Sequence, residues 1–242
     1  MLSRTLIRKL AAKNQTLETN IAREYCQHMT LNYIYRQKRS DGLLFKGGTC
    51  LRVLHNSPRF SEDLDFTGLN LRFQDLTVIF GSVARNLKDT GLTVTVLEEK
   101  PTPGGYLGIY KFIFFEFDEN IKIECSFRKT DRKIKGELST VAGDYIPAFT
   151  VLSLPVVMLI SEKISALLER NKARDYYDIY FILRSNIMKN RTGLDLGKVH
   201  QKLLASKINF KKELKPLLPK THHNLLNDFK GILLRELNRS GF

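Results

Sequence analysis

Cysteine is scarce in this chain and badly placed for any cross-linked framework. Its 242 residues include only Cys26, Cys50 and Cys125, an odd number at wide spacing. With no CxxC pair and no Cys/His ligand spacing, a disulfide scaffold and a structural zinc site are both disfavoured. The three read instead as small buried hydrophobes in a reducing compartment. Long apolar runs are also missing. No stretch approaches the roughly eighteen residues that mark a membrane-spanning helix. The charged start, Met1-Leu2-Ser3-Arg4-Thr5-Leu6-Ile7-Arg8-Lys9-Leu10, has no signal-peptide core. A cytoplasmic protein without a membrane partner is the expectation. No internal repeat or low-complexity segment occurs.

Acidic residues are the last shortage. Asp and Glu number 25 against 39 Lys and Arg, which leaves a net charge of +14 and a pI near 9.7. Such an excess attracts polyanions. The bases concentrate in Arg128-Lys129-Thr130-Asp131-Arg132-Lys133-Ile134-Lys135 and between Lys207 and Lys220, which includes Lys211, Lys212 and Lys215. One such cluster is commonly a solvated face. Two of them on a basic chain point to RNA or an acidic protein as partner, without sequence specificity.

What remains is an ordinary globular composition, 43% hydrophobic and 26% charged, long enough for one large domain or two modest ones. Residues 3–36 mix polar and apolar residues at helical spacing, with neither Pro nor Gly. Leu43 to Lys46 predicts a strand that ends at Gly47-Gly48, Thr49 to Leu54 a short helix, Phe60 to Thr67 a strand, and Gln74 to Lys88 an amphipathic helix. Strands follow over 92–97, 108–117 and 120–127, with a hairpin turn expected at Asp118-Glu119-Asn120. From Pro155, a residue suited to a helix's first turn, the pattern is helical. The elements predict an α/β (α+β) fold: an α/β domain over residues 1–150, then a helical domain over 151–242.

The residues most suited to chemistry lie in Phe45-Lys46-Gly47-Gly48-Thr49-Cys50-Leu51-Arg52 and Phe60-Ser61-Glu62-Asp63-Leu64-Asp65-Phe66. Asp63 and Asp65, at period two, project to one face of an extended chain; Glu62 projects away from them. Two adjacent acids repel, and each needs solvation or a cation. Such a pair of hard oxygen ligands suits magnesium, whose shell is completed by waters and nucleotide phosphates. Gly47, Gly48 and Thr49, at the start of a helix, can hold a triphosphate through backbone N–H groups and the Thr hydroxyl. Arg52, one turn on, can neutralise phosphate charge. Together these describe a site for metal-assisted nucleotidyl transfer, in which positioning and charge neutralisation dominate.

Gly48-Thr49, thirteen residues, then Asp63-Leu64-Asp65-Phe66 resembles the polymerase-beta-like nucleotidyltransferase pattern, with Thr49 where that superfamily usually has Ser. The resemblance implies a third carboxylate on a neighbouring strand. Glu124, between apolar residues in Ile121-Lys122-Ile123-Glu124-Cys125-Ser126-Phe127, has that setting and is the third candidate metal ligand beside Asp63 and Asp65. The alternative is an outward-facing strand residue beside Lys122, which alternation places on the same face. Ions roughly 3.5–4 Å apart, bridged by such carboxylates, would serve the attacking hydroxyl and the leaving pyrophosphate.

A second cluster runs from Glu162-Lys163 to Arg170-Asn171-Lys172-Ala173-Arg174-Asp175-Tyr176-Tyr177-Asp178. One continuous helix would bring Lys163, Arg170 and Arg174 near one stripe. The other reading is local: Arg174 pairs with Asp178 at i,i+4, and Asp175 caps a new helix after a break at Asn171. Lys46-Gly47-Gly48-Thr49, Leu51-Arg52, Arg59 to Phe66 and the 162–178 segment are together similar to the AbiEii/AbiGii nucleotidyltransferase toxin family. That resemblance implies a nucleotidyltransferase-like mixed sheet flanked by helices, followed by a helical domain. It implies that Asp63 and Asp65 bind Mg2+, that Lys163 contacts the phosphates of an NTP, and that Asp175 is needed for activity. It further implies a toxin of a bacterial toxin–antitoxin or phage-defence pair, with a cognate antitoxin as partner and a tRNA 3′ end as acceptor. A protein hydroxyl as acceptor, or a non-catalytic RNA-binding toxin, is the alternative.

Overall fold

The computed structural model describes residues 1–128, 134–187 and 195–240. The chain divides into two compact units, one of residues 1–54 and 60–154, the other of residues 55–59 and the chain from Pro155 onward. Of the first basic cluster, Lys129 to Lys133 lie outside the described residues.

The first unit is built on a seven-stranded mixed sheet. Its elements are α1 (Arg4–Lys13), α2 (Glu18–Ile34), β1 (Leu43–Lys46), α3 (Gly47–His55), β2 (Leu64–Leu69), α4 (Phe73–Lys88), β3 (Thr93–Thr102), β4 (Gly105–Phe114), β5 (Phe117–Arg128), β6 (Glu137–Val141) and β7 (Phe149–Ser153). The strand order is β3-β4-β5-β2-β1-β7-β6. Only β2 with β5 and β1 with β7 run parallel. One face is apolar. Tyr110 and Phe112 from β4, Ile121 and Ile123 from β5 and Phe66 from β2 are buried, as are Ile21, Tyr25 and Ile34 of α2 and Leu76, Phe80, Val83 and Leu87 of α4. In β5 those inward residues alternate with Asp118, Asn120, Lys122, Glu124 and Ser126 on the other face, the period-two pattern of a strand. All three cysteines are free and buried. Burial pushes the Cys125 thiol up to about 12, so it carries no thiolate at neutral pH.

Several boundaries differ from the sequence expectation, each for a local reason. The expected helix over 3–36 is two helices: the Asn14 amide donates back to the Leu10 carbonyl, and Gln15 is left-handed. The hairpin turns at Phe115-Glu116, not at 118–120, since β4 and β5 pair down to Phe114 and Phe117. Asp118 and Asn120 continue the outer face, and Glu119 is tolerated inside because Arg23 meets its carboxylate at 2.8 Å. Helix α3 begins at Gly47 itself. Strands β6 and β7 carry no clear sequence pattern; they form by pairing with each other and with β1.

The second unit is helical: α5 (Val156–Arg170), α6 (Ala173–Arg184), α7 (Leu196–Ala205), α8 (Phe210–Leu214) and α9 (Phe229–Arg239). Pro155 is the N-cap of α5, just outside its first turn. Asn171, at φ 53° and ψ 50°, ends that helix, so Arg174 stands on α6 and the continuous stripe with Lys163 and Arg170 does not form. The core is aromatic: Phe229 stacks on Tyr177 and touches Phe210, with centroids 5.9 and 5.1 Å apart. No helix among the described residues is long and apolar enough to cross a membrane.

Phe115 stands out among the left-handed residues. The others that are not glycine are Gln15, Asn56, Asn70 and Asn171, and Asn tolerates that region far better than a bulky side chain. Phe115→Asn is expected to stabilise the protein by about 1 kcal/mol. Thermal unfolding should read this as a rise of roughly 2–4 °C.

Candidate active site

In the first unit the candidate residues come together through sheet register. β1 pairs antiparallel with β2, which sets Lys46 opposite Asp65. β2 pairs parallel with β5, which sets Asp65 beside Glu124. Asp63 lies just before β2, and Lys122 reaches both sides of the group. Its ammonium is 2.8 Å from the Glu124 carboxylate and 3.7 Å from that of Asp63. Burial alone would lower the Lys122 pKa. The hydrogen bond it donates to Glu124 and the charges of Asp63, Glu124 and Asp65 outweigh it, so the pKa is raised and the ammonium stays charged.

Two residues fix this edge. The Thr49 hydroxyl, wholly buried, donates to the Asp63 carbonyl. It therefore pins the aspartate loop to α3. Gly47, at φ +84°, passes so close to Asp65 that a Cβ there would lie 2.0 Å from its Oδ2. Only glycine leaves room for that carboxylate and adopts that backbone. Arg52 is likewise engaged: its Nε is 2.7 Å from Glu24, and its guanidinium lies 3.9 Å over the Phe60 ring. Tyr145 donates to the same Glu24, so Arg52 braces α3.

Asp63 and Asp65 supply the hard oxygen donors that suit a small divalent cation. Among the described residues, however, no three His, Cys, Asp or Glu side chains gather as a metal cluster. Glu124, 44% exposed, faces the Lys122 ammonium.

The second unit holds a separate charged group. Asp178 is buried and accepts from Arg59 at 2.7 and 3.0 Å and from Lys163 at 2.7 Å. Burial alone would raise the Asp178 pKa, but these two cations overcome it and lower the pKa to about 2. Asp175 is also buried. One of its oxygens accepts from Arg170 at 2.8 Å, and the other has no hydrogen-bond partner among the described residues. Asp175 lies in the first turn of α6, whose N-cap is Lys172. The family resemblance pointed to Lys163 and Asp175 but not to the side chains that hold them. Arg59 and Asp178 lie 119 residues apart, and only the sequence order Arg59-Phe60-Ser61-Glu62-Asp63 hinted at Arg59.

A family model described as nucleotidyl transferase AbiEii toxin, type IV TA system, matches residues 31–236. The chain belongs to that family. As an AbiEii-family protein it is a nucleotidyltransferase toxin of a toxin–antitoxin system. Among solved structures it is similar to JHP933 from Helicobacter pylori, with 17% identity and a TM-score of 0.53, over 93% of this chain and 96% of that one. A second H. pylori structure, described as a candidate nucleotidyltransferase, gives 16% identity and a TM-score of 0.54 over 93% and 98%. At these identities the two structures support the fold. No curated protein sequence matches the chain.

Two substitutions, one in each unit, test how these charged groups are held. Gly47→Ala should displace Asp65 and cost about 1–3 kcal/mol, read by urea unfolding. Asp178, whose pKa is lower folded than unfolded, stabilises the protein above about pH 4 and loses that contribution as pH falls through about 2. The loss should be about 2 kcal/mol, seen as an acid-side fall in the urea midpoint that Asp178→Asn removes. That variant should also be less stable at neutral pH by about 3–5 kcal/mol, since it breaks a buried ion pair.

Proposed function

We propose that this AbiEii-family protein is a magnesium-dependent enzyme that transfers a nucleoside monophosphate from an NTP to an RNA acceptor, with a tRNA 3′ end as the acceptor class. The observation that carries the reading is the register of Lys46, Asp65 and Glu124 across three adjacent strands, with Gly47 packed directly against the Asp65 carboxylate.

Each residue has a role that follows from its surroundings. Asp63 and Asp65 would hold the cation, with Glu124 as a further carboxylate on the same face. The bound ion would supply Lewis-acid charge at the α-phosphate. Gly47 and Gly48, at the N-terminus of α3, offer backbone N–H groups to the phosphates. Thr49 holds Asp63 in place, and Arg52 keeps α3 in place through Glu24. The acceptor hydroxyl attacks the α-phosphorus, its proton passes to water, and pyrophosphate leaves with the electrons of the broken P–O bond. In the second unit, Lys163 is the candidate contact to phosphate and Asp178 keeps it charged. Asp175 is the other residue of that unit proposed to be needed for activity, and Arg170 holds one of its oxygens.

Charge favours RNA over a protein acceptor. Lys207, Lys211, Lys212, Lys215 and Lys220 are all exposed, and Glu213 is the only acid in that stretch. Lysines so arranged neutralise backbone phosphates without reading bases. A cognate antitoxin and cytoplasmic action against phage belong to the same reading.

The test is to incubate purified protein with each labelled NTP, Mg2+, and total cell RNA and protein, then separate the fractions. Label should enter RNA at its 3′ ends, and Asp65→Asn should reduce it by at least about a hundredfold. Label confined to the protein fraction would overturn the RNA acceptor; label in neither, from folded protein, would overturn transfer itself.

A further inference from the structure

Three carboxylates face one side of the sheet here, yet they do not gather around a shared centre. The Lys122 ammonium stands between two of them, 2.8 Å from Glu124 and 3.7 Å from Asp63. The register explains its place. Lys122 and Glu124 are two apart on β5 and share a face, and Glu124 is the cross-strand neighbour of Asp65. On the far side of β5, Ile109 is opposite Lys122 and Leu107 is opposite Glu124. These apolar neighbours offer the two charged groups no partner, which turns them toward each other and toward β2.

We propose that Lys122 is a built-in cation of the site, which occupies the ground a second divalent ion would need and leaves this chain with a single divalent-cation position, on Asp63 and Asp65. The inference rests on the proposed transferase reading. Two ions in such a site lie roughly 3.5–4 Å apart and share bridging carboxylates. An ion bridging Asp63 and Glu124 would have to enter where the ammonium already sits, against its charge. Asp63 and Glu124 both face Lys122, and Lys46 stands opposite Asp65. Glu124 then holds Lys122, and Lys122 serves as a charge-balancing residue beside the transferred phosphate.

The experiment is Mn2+ binding to the full chain, followed by the electron paramagnetic resonance signal of the free ion, without NTP. The wild type should bind one Mn2+ per chain. Lys122→Gln should bind a second ion, or bind the first at least about tenfold more tightly, because a repelling charge within a few ångströms is gone. Lys122→Arg keeps the charge and should stay at one ion, and Glu124→Gln should also retain one ion. Lys122 is a partly exposed side chain, and circular dichroism checks that each variant is folded; Lys122→Ala is the second neutral variant. Two ions on the wild type, unchanged number and affinity in both neutral variants, or loss of binding in Glu124→Gln would each overturn the proposal. Asp65→Asn separates the two readings. If it binds Mn2+ as well as the wild type does, the metal site of the proposed function fails, whatever the Lys122 variants show.

Discussion

Like charges on one face of a sheet repel, and the active edge of the first unit is arranged around that repulsion. Asp65 and Glu124 are brought side by side by a parallel pairing between β2 and β5, strands that are far apart in sequence. The arrangement persists because cations are built in beside it: Lys122 touches Glu124 and reaches Asp63, and Lys46 stands opposite Asp65. Half-exposure matters as well. Water screens these charges enough that no single pair has to compensate a full desolvation penalty, whereas buried ions would require close pairing.

The second unit solves the opposite problem. There Asp178 is out of water, and a lone buried carboxylate would take up a proton. Two cations on one carboxylate prevent that and lower its pKa to about 2. The same contacts fix the positions of Lys163 and Arg59 and leave the group with a positive charge. Asp175 is less fully served, with a single arginine on one oxygen. Such an unmatched acceptor is a cost to the folded chain.

Support around the first-unit site comes from side chains with other apparent vocations. Thr49 and Arg52 have the right chemistry for phosphate, but Thr49 donates to the Asp63 carbonyl and Arg52 is tied to Glu24. Tyr145 joins the same carboxylate from near the other end of the unit's sequence. Helix α3 is therefore anchored at both ends of its first turn and a half, and its glycine start is held against Asp65. Rigid support of this kind is what a site built on backbone N–H groups requires, because those groups cannot adjust independently of the helix.

The amino-acid sequence by itself determined the element types over most of the chain, the glycine turn, the paired aspartates and the family. These are local patterns: alternation on strands, helical spacing, and short motifs whose residues lie within a few positions of one another. Glu124 was legible too, as an acid on an apolar strand, and so was its placement on one face with Lys122. Only the tertiary structure decided the partners. Arg59 meets Asp178 across 119 residues, Arg52 meets Glu24 on another helix, and Asp65 lies beside Glu124 through strand pairing. Spacing along the chain carries no information on such contacts, since a long loop can close at little extra entropic cost whatever its length. The break at Asn171 and the turn at Phe115 were settled similarly, by backbone states that packing selects. The residue types are therefore a property of the sequence, and the assignment of each charge to its counter-charge is a property of the fold.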